Sequence, residues 1–323
     1  MDPENYLYII GAVFFLSGAA VSLSPVPRTK SYIYLLSLPG ALCFLTFSLH
    51  LLSSLPQDLF SISVSTFFEF AFRGDPLSGF FILVISLLAS AVSIYSMGYV
   101  KGLRHQGLMG FLFNLFILSL FAVVLSGNVF TFLVSWETMS VVSYFLVTFE
   151  RDETSAKAGL IYAVMTHMGT AFIVALFLIL YKETGSMDFA QMKNHSGQIP
   201  DFLKHVIFLF AMIGFGTKAG IVPLHTWLPR AHPTAPSNIS ALMSGVMIKT
   251  GIYGFIRVVL DITGTGPEWW GITVITIGAV SSVLGILYAL MEHDIKRLLA
   301  YSSVENIGII LLGIGASMVF RSH

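Results

Sequence analysis

The chain has 323 residues, of which 55% are hydrophobic and only 11% are charged, and its mean hydropathy is +0.83. Soluble domains carry about 25% charged residues, so this composition indicates a polytopic membrane protein. The formal net charge is zero and no basic tail or stripe is present, which argues against a nucleic-acid partner. The single cysteine, Cys43, excludes a disulfide framework and a cysteine-held iron–sulfur cluster, so the chain is predicted to contribute no cofactor or metal site of its own.

Ten apolar runs follow one another along the chain, each long enough to cross about 30 Å of hydrocarbon as a helix. They are too continuously apolar for the alternating strands of an outer-membrane barrel, so an all-α membrane bundle is predicted. The start of the chain carries two acidic residues, Asp2 and Glu4, and no basic one, which favours a retained helix over a signal peptide. The runs cover residues 4–23, 32–53, 77–99, 109–125, 128–148, 157–181, 205–228, 236–260, 270–290 and 297–319.

The connections between the runs are short. The two longest, 54–76 and 182–204, are too small for a folded extramembrane domain, although the alternating segment 68–73 is typical of a short surface strand. Lysine and arginine predominate in one set of connections, which holds Arg28, Lys30, Lys101, Arg104, Arg151, Lys157, Arg230, Lys296 and Arg297. The opposite set holds Arg73, Lys182, Lys193, Lys204, Arg257 and Arg321. The positive-inside rule therefore predicts that both termini lie outside the cytoplasm. The chain is expected to be a multi-pass protein of the inner (plasma) membrane.

Four ionisable residues lie near the middle of the fifth to eighth runs: Glu137, His167, Lys218 and Lys249. A charged side chain at that depth costs several kcal/mol, about 3 kcal/mol on insertion scales, and usually marks an ion or proton path. A structural ion pair between Glu137 and a lysine is the alternative for any single pair. Because two lysines and a histidine face one carboxylate, complete pairing is impossible, and the four are predicted to form a lateral proton path.

The stretch GTKAGIVPLHTW, residues 216–227, predicts a break in the seventh helix. Pro223 has no N–H, so the carbonyl of Ala219 loses its helical partner beside Lys218. Gly216 and Gly220 flank the lysine and allow either a close helix–helix contact or space for water. Burial favours loss of the Lys218 proton and a nearby carboxylate favours its retention, so a change in the distance to Glu137 would act as a proton switch.

Downstream of the break, three prolines bracket His225, Arg230 and His232. A stiff re-entry loop explains this pattern, and proton entry through the histidines explains it equally well. Both interpretations remain open at this point.

The run GTKAGIVPLHTWLPRAHPTAPSNISALMSGVMIKTGIYGFIR (216–257), with SWE at 135–137 and DPLSGFF at 75–81, resembles a known family. The family is that of the antiporter-like proton-translocating subunits shared by respiratory complex I, Mrp antiporters and energy-converting hydrogenases. Within it, DIKRLLAYSSVENIG (294–308) is most similar to the large membrane subunit of formate hydrogenlyase and hydrogenase 4 type complexes. The resemblance implies five-helix units related as inverted repeats, each with a broken helix that carries a lysine.

Carried over by position, the resemblance makes Glu137 the switching glutamate, Lys218 the lysine of the broken helix and Lys249 the connecting lysine of the next helix. His167 becomes a bridging group on the helix between them. A three-residue echo of residues 135–137 at 303–305 suggests Glu305 as the counterpart of the glutamate in a second unit.

The resemblance also implies three parts: an N-terminal three-helix segment (1–105), a first five-helix unit (106–262) and an incomplete second unit of two helices (263–323). Family members usually have about fourteen helices, so the remaining helices are expected from a separate chain, unless the chain is a shortened product.

The function predicted on these grounds is proton translocation by a membrane subunit of a redox-driven complex, of the hydrogenase or NADH dehydrogenase type. The chain has no catalytic centre of its own, and iron–sulfur, nickel–iron or flavin centres are expected only in the partner subunits of a hydrophilic redox module. Two alternatives stay open: a non-conducting structural or assembly subunit, and a component of an Mrp-type cation/proton antiporter. Sodium in place of protons is a further possibility.

Overall fold

The computed structural model describes residues 6–24, 33–65, 68–103, 105–264 and 266–322, and these residues are mainly helical. The helices are α1 (Leu7–Ser22), α2 (Ile33–Ser53), α3 (Pro76–Tyr99), α4 (Gln106–Val124), α5 (Val129–Val147), α6 (Glu153–Thr184), α7 (Phe189–Asn194), α8 (Asp201–Ala219), α9 (Leu228–Thr234), α10 (Ser237–Leu242), α11 (Ile248–Phe255), α12 (Glu268–Met291) and α13 (Ile295–Ser322). The π-helical turns Met243–Met247 and Ile256–Ile262 join α10 to α11 and extend α11.

Nine helices among the described residues are long and apolar enough to cross a membrane, and the predicted all-α membrane architecture is thereby confirmed. One of them, Ser237–Ile262, combines α10, α11 and both π-helical turns. The first predicted run corresponds to α1, which has 16 residues and is shorter than these nine helices. Residues 4 and 5 of that run lie outside the described part of the chain.

The chain forms two compact units, one made of residues 1–146 and 236–246 and the other of residues 147–235 and 247–323. These units are defined by packing, whereas the division predicted at 105/106 and 262/263 concerns repeats inferred from a family resemblance. That division stays a prediction.

In the first unit, buried polar groups join α1, α2 and α4. The Asn114 side-chain amide donates to the Gly110 carbonyl at 2.8 Å, and its Oδ1 accepts from the Ser37 hydroxyl at 2.8 Å. A Cβ at Gly18 of α1 would lie 2.8 Å from Asn114 Oδ1, so only glycine leaves room for the amide. Small residues and interhelical hydrogen bonds of this kind hold membrane helices together because lipid tails provide no hydrophobic drive for association.

A two-stranded antiparallel hairpin, β1 (Gln57–Ser63) and β2 (Glu69–Gly74), fills the connection between α2 and α3. It confirms the surface strand predicted over 68–73. The hairpin bonds to the turn between α4 and α5, where the Gly127 N–H donates to the Ala71 carbonyl at 2.8 Å.

Acidic residues cap several helices of these units, among them α3 and α6. Asp75 accepts from the Ser78 N–H at 2.8 Å at the start of α3, and Asp152 accepts from the Ser155 N–H at 2.7 Å at the start of α6. Hydrogen bonds from the Ser155 side chain and backbone hold the pKa of the Asp152 carboxyl below its usual value. Caps of this type satisfy N–H groups that a helix start leaves without partners, so the sequence marks these boundaries locally.

In the second unit, α12 and α13 pack backbone to backbone. Gly271, Gly278 and Gly285 recur every seven residues on α12, and Gly308 and Gly315 do so on α13. A Cβ at Gly278 would lie 2.8 Å from the Gly308 carbonyl oxygen, so any larger side chain would push the two helices apart.

Candidate functional site

The predicted helix break is present in the second unit, and it begins at the lysine. Helix α8 ends at Ala219, and Gly220 adopts a left-handed conformation with φ of +78°. The N–H groups of Ile221 and Gly220 bond back to the carbonyls of Gly216 and Thr217 at 3.1 and 3.3 Å. This pattern is the Schellman motif, which closes a helix C-terminus. The helix therefore ends before the predicted run end at residue 228, and Pro223, which is exposed, follows just after the break.

Lys218 lies in the last turn of α8 with 2% of its surface exposed. Its ammonium donates a hydrogen bond of 2.8 Å to the Tyr162 hydroxyl of α6 and lies 5.1 Å from the centre of that ring. The C-terminus of a helix carries about half a negative charge, which favours a cation at this position. The Tyr162 hydroxyl is also 3.8 Å from the sulfur of Met247, the residue just before α11, so it connects the lysine to that helix.

Protein covers the irregular backbone after the break. The Val222 N–H donates to the Ser281 hydroxyl of α12 at 3.0 Å, and the indole N–H of Trp227 donates to the Thr217 carbonyl at 2.8 Å. These bonds replace the helical ones, as unpaired backbone groups at membrane depth are too costly to leave.

The two glycines that flank Lys218 are packed closely by residues that follow the break. A Cβ at Gly216 would clash with Ile221, and one at Gly220 would lie 2.5 Å from Leu228. Both glycines thus let the chain after the break fold back onto α8. The space beside them is occupied by the chain's own side chains.

Lys249 lies half-buried on α11, which packs closely against α8. A Cβ at Gly251 would lie 2.7 Å from the Phe215 carbonyl oxygen and 2.9 Å from the Ala219 nitrogen. Backbone therefore touches backbone at this point, and the two lysine-bearing helices are held in a fixed register next to the break.

His232 is on the short helix α9, between the membrane-crossing helices Asp201–Ala219 and Ser237–Ile262, and 2% of it is exposed. Burial, with a smaller contribution from the positive charges of Lys296 and Lys249, lowers the pKa of its imidazole to about 4. Lys296, at the start of α13, donates to the carbonyls of Ala235 and Pro233 at 2.9 and 3.4 Å. His232 is therefore a neutral imidazole between two amines at neutral pH.

We expect His232 to remain neutral down to about pH 5 in the folded chain, whereas an unperturbed histidine is half protonated at about pH 6.5. Because the unfolded chain binds more protons below that value, the contribution of His232 to stability is lost as the pH falls from about 6.5 towards 4. A ¹⁵N-histidine NMR titration in lipid nanodiscs, with His232→Gln to assign the signal, measures this pKa. A midpoint near 6.5 would contradict the expectation.

The other predicted groups of the second unit have the following contacts. His167 is on an exposed face in the middle of α6, and its Nδ1 is 2.9 Å from the Ala163 carbonyl of its own helix. Five residues separate it from Tyr162, which is about 140° around a helix, so the two side chains point to different sides. His225 is half-buried, and its ring centre lies 6.5 Å from that of Tyr288 and 6.3 Å from that of Tyr301.

Glu305 lies half-buried on α13, where its Oε2 accepts from the Ser302 hydroxyl at 3.5 Å. The backbone around it packs against Gly285 of α12. It is thus part of the glycine-lined α12–α13 contact.

Glu137 belongs to the first unit, in the middle of α5, and is half-buried. It lines a groove of about 720 Å³ between α4 and α5. Apart from Glu137 and Thr138, the groove is lined by apolar side chains: Phe111, Leu112, Leu115, Phe130, Leu133, Val134, Val141, Val142 and Phe145. The groove beside Glu137 is therefore mainly apolar.

A further buried cation, Arg257, was assigned from the sequence to a connection, but it lies within the Ser237–Ile262 helix with 7% of its surface exposed. Its guanidinium bonds to Asp261 at 2.6 Å and to the Tyr253 hydroxyl at 3.1 Å, and Lys193 binds the other oxygen of Asp261 at 2.6 Å. The sequence signal was the i, i+4 spacing of Arg257 and Asp261, which forms a helical ion pair. This paired cluster ties α7 to the end of the helix.

Comparison with known proteins identifies the family of this chain. The family model described as "NADH:quinone oxidoreductase/Mrp antiporter, TM" matches residues 126–321, which include every predicted site residue. The chain belongs to this antiporter-like family. A second model, "NADH-Ubiquinone oxidoreductase (complex I), chain 5 N-terminus", matches residues 61–108. The family resemblance expected from the sequence is confirmed, and with it an integral membrane location.

Several relatives of this antiporter-like chain are components of larger complexes by name. It is 51% identical to hydrogenase-4 component B of Escherichia coli (strain K12) over 259 residues, which are 78% of this chain and 38% of that protein. It is 34% identical to formate hydrogenlyase subunit 3 of the same organism over 246 residues, 76% of this chain and 38% of that protein. NADH-quinone oxidoreductase subunit M of Rickettsia felis (strain ATCC VR-1525 / URRWXCal2) is 30% identical over 247 residues, 76% of this chain and 50% of that protein.

The antiporter-like chain thus spans 38% of the length of the two Escherichia coli relatives. Among solved structures it is similar to a chain of the membrane-bound sulfane sulfur reductase, an archaeal respiratory membrane complex. The TM-score is 0.81 at 25% identity, covering 96% of this chain and 51% of that one. The predicted antiporter-like fold is confirmed by this match.

Proposed function

We propose that this antiporter-like chain translocates protons across the inner (plasma) membrane as a subunit of a redox-driven complex of the hydrogenase or NADH dehydrogenase type. The observation that carries the proposal is the buried ammonium of Lys218 at the helix break, hydrogen-bonded to Tyr162 at 2.8 Å. A buried membrane cation of this kind is costly and is usually functional.

In the proposed path, protons move along Glu137, His167, Lys218 and Lys249. The contact of α8 with α11 at Gly251 supports transfer between the two lysine-bearing helices, because it holds them at a fixed short separation. The Tyr162 hydroxyl accepts a hydrogen bond from Lys218 and can donate its own proton, so it can act as a transfer group. The exposed position of His167 makes it available to a neighbouring membrane chain.

The proposed partners follow from the names of the relatives, which are components or subunits of hydrogenase and NADH-quinone oxidoreductase complexes. We infer that other membrane subunits, including a source of further antiporter-like helices, bind this chain. A hydrophilic module would hold the iron–sulfur, nickel–iron or flavin centres and perform the electron chemistry. Both termini would lie outside the cytoplasm, as the distribution of lysine and arginine predicts.

Replacing Lys249 by methionine tests this function. We expect proton uptake per electron pair to fall at least about tenfold, because a proton-transfer group typically contributes at least that factor. Lys249→Arg should have the same effect, because a guanidinium keeps its charge but does not release its proton. The measurement is fluorescence quenching in inverted membrane vesicles that contain the assembled complex, driven by its electron donor.

The matched control is Lys157→Met. Lys157 is a lysine of α6 with 73% of its side chain exposed, and it pairs only with Glu153 of its own helix in the contacts observed, at 2.7 Å. Uptake that is unchanged in both Lys249 variants, with the complex assembled, would favour a non-conducting structural subunit.

The description of the matching family model also names Mrp antiporters, so cation/proton exchange is the second candidate function. Sodium-dependent proton movement in vesicles without any electron donor would identify it. Uptake that requires the donor and persists without sodium would favour the redox-driven function.

A further inference from the structure

Lys296 connects the start of α13 to the end of α9, next to the buried His232. We propose that Lys296 is a gate for proton entry to Lys249 through His232. While its ammonium is held on the carbonyls of Pro233 and Ala235, it opposes a positive charge on His232, and its displacement admits a proton. The proposal rests on the proton-translocating function proposed above and names its entry route.

The carbonyl groups that bind Lys296 lie at the end of α9. The last carbonyls of a helix have no donors within it, and Pro236, which follows, has no N–H to offer. The Lys296 ammonium meets this need with bonds of 2.9 Å to Ala235 and 3.4 Å to Pro233, directly after His232 in the chain. Because a helix C-terminus attracts cations, the ammonium is stable there, although the side chain is only half-buried.

The charges around His232 come from three elements. Lys296 acts on it from α13 and Lys249 acts on it from α11. Arg230 is on α9 itself, where it is exposed, and α6, which also packs against α9, presents Tyr162 with its hydroxyl bonded to Lys218. Near neutral pH, an imidazole with 2% exposure beside two ammonium groups accepts a third positive charge only when one of them moves or is neutral.

Lys296, His232 and Lys249 lie in this order from one membrane surface towards the interior. The Ser237–Ile262 helix crosses the membrane and α12 crosses it back, so α9 and the start of α13 lie at the same surface. Near Lys296, the adjacent residues Asp294 and Arg297 are exposed. Lys249 lies in the middle of the Ser237–Ile262 helix. Lys296 is therefore outermost, His232 is next and Lys249 is innermost.

The transfer conserves charge at each step. A hydronium ion gives a proton to an unprotonated ring nitrogen of His232 and becomes water. The imidazolium then gives a proton to Lys249 when its side chain is a neutral amine, which leaves neutral histidine and an ammonium. Lys296 transfers no proton in this scheme; it is a positioning residue that sets how readily His232 accepts one.

The test measures the His232 pKa in the full chain in lipid nanodiscs by ¹⁵N-histidine NMR. Lys296→Met should raise that pKa by about one pH unit, since a neighbouring cation typically shifts a buried group by one unit or more. Lys296→Gln should also raise the His232 pKa, although the glutamine amide can still donate to the carbonyls. It therefore distinguishes the effect of the charge from that of the helix cap if the methionine variant folds poorly. Lys296→Arg keeps the charge and should leave the pKa in place.

Arg297→Met is the matched control, because Arg297 is the next residue of α13 and its side chain is 48% exposed. It should leave the His232 pKa unchanged. An unchanged pKa in both Lys296→Met and Lys296→Gln would overturn the gate and leave Lys296 as a helix cap.

Proton uptake in vesicles separates this proposal from the function on which it rests. The pH profile of uptake should move to higher pH in Lys296→Gln, by the same amount as the His232 pKa, while Lys249→Met loses uptake at every pH. A pKa shift without a shift of the profile would overturn entry through His232. Unchanged uptake in Lys249→Met would overturn the translocation function itself, independently of the NMR result.

Discussion

Lys218→Ala is expected to reduce proton uptake per electron pair at least about tenfold in vesicles that contain the assembled complex, because a single proton-transfer group typically contributes about 10²–10⁴-fold. Alanine removes the ammonium that donates to Tyr162 at the break, so the proposed path loses its central group. Lys218→Arg should lower proton uptake as well, because a guanidinium keeps the positive charge but does not release its proton. Electron-transfer rate and proton uptake are measured on the same vesicles.

Tyr162→Phe provides a graded comparison, because it keeps the ring beside Trp227, 5.0 Å away, and removes only the hydroxyl. It should lower uptake less than the Lys218 variants do. Full proton stoichiometry in Lys218→Ala, with the complex intact on a native gel, would contradict a role for this lysine in transfer.

Gly251→Val is expected to have the largest effect on stability. A side chain at this position would meet the Phe215 carbonyl oxygen and the Ala219 nitrogen, and neither backbone atom can rotate away. Overpacking of this kind costs about 1–3 kcal/mol or more. Helices α8 and α11 would have to separate, so proton uptake should fall together with the thermal unfolding temperature of the solubilised chain.

Gly313→Val on α13 is the control, because a Cβ there would meet no atom within 4 Å among the described residues. Both substitutions place a β-branched residue in a helix, so their difference isolates the contact. Equal unfolding temperatures for the two variants would show that α8 and α11 can move apart at little cost.

The helices of this fold were predictable because membrane-crossing helices need long apolar runs, and the break near Lys218 was predictable because Pro223 cannot continue a helix. The end of α8 was placed too late. Apolarity continues through Ile221, whereas the helix stops where Gly220 takes a positive φ, and only the geometry of the cap shows this.

The site was less predictable, because sequence gives the depth of a residue in the membrane but not the direction it faces. His167 and Lys218 were predicted at similar depth, yet His167 is exposed and Lys218 is buried. Tyr162 and Lys296 were not recognised as site residues, because the rotation of α6 and the approach of α13 to α9 depend on packing between distant segments. No local spacing encodes either contact.

The groups that end helix α8 lie close together in the sequence. Its hydrogen bonds, its left-handed glycine and the contact of Gly216 with Ile221 all fall within residues 216–221. The hydrogen bonds that end the helix therefore come from six consecutive residues, and Trp227 and Ser281 bond to the backbone on either side of Gly220. Because these bonds are local in sequence, we expect residues 216–221 to end another apolar helix as well and to place the lysine in its last turn.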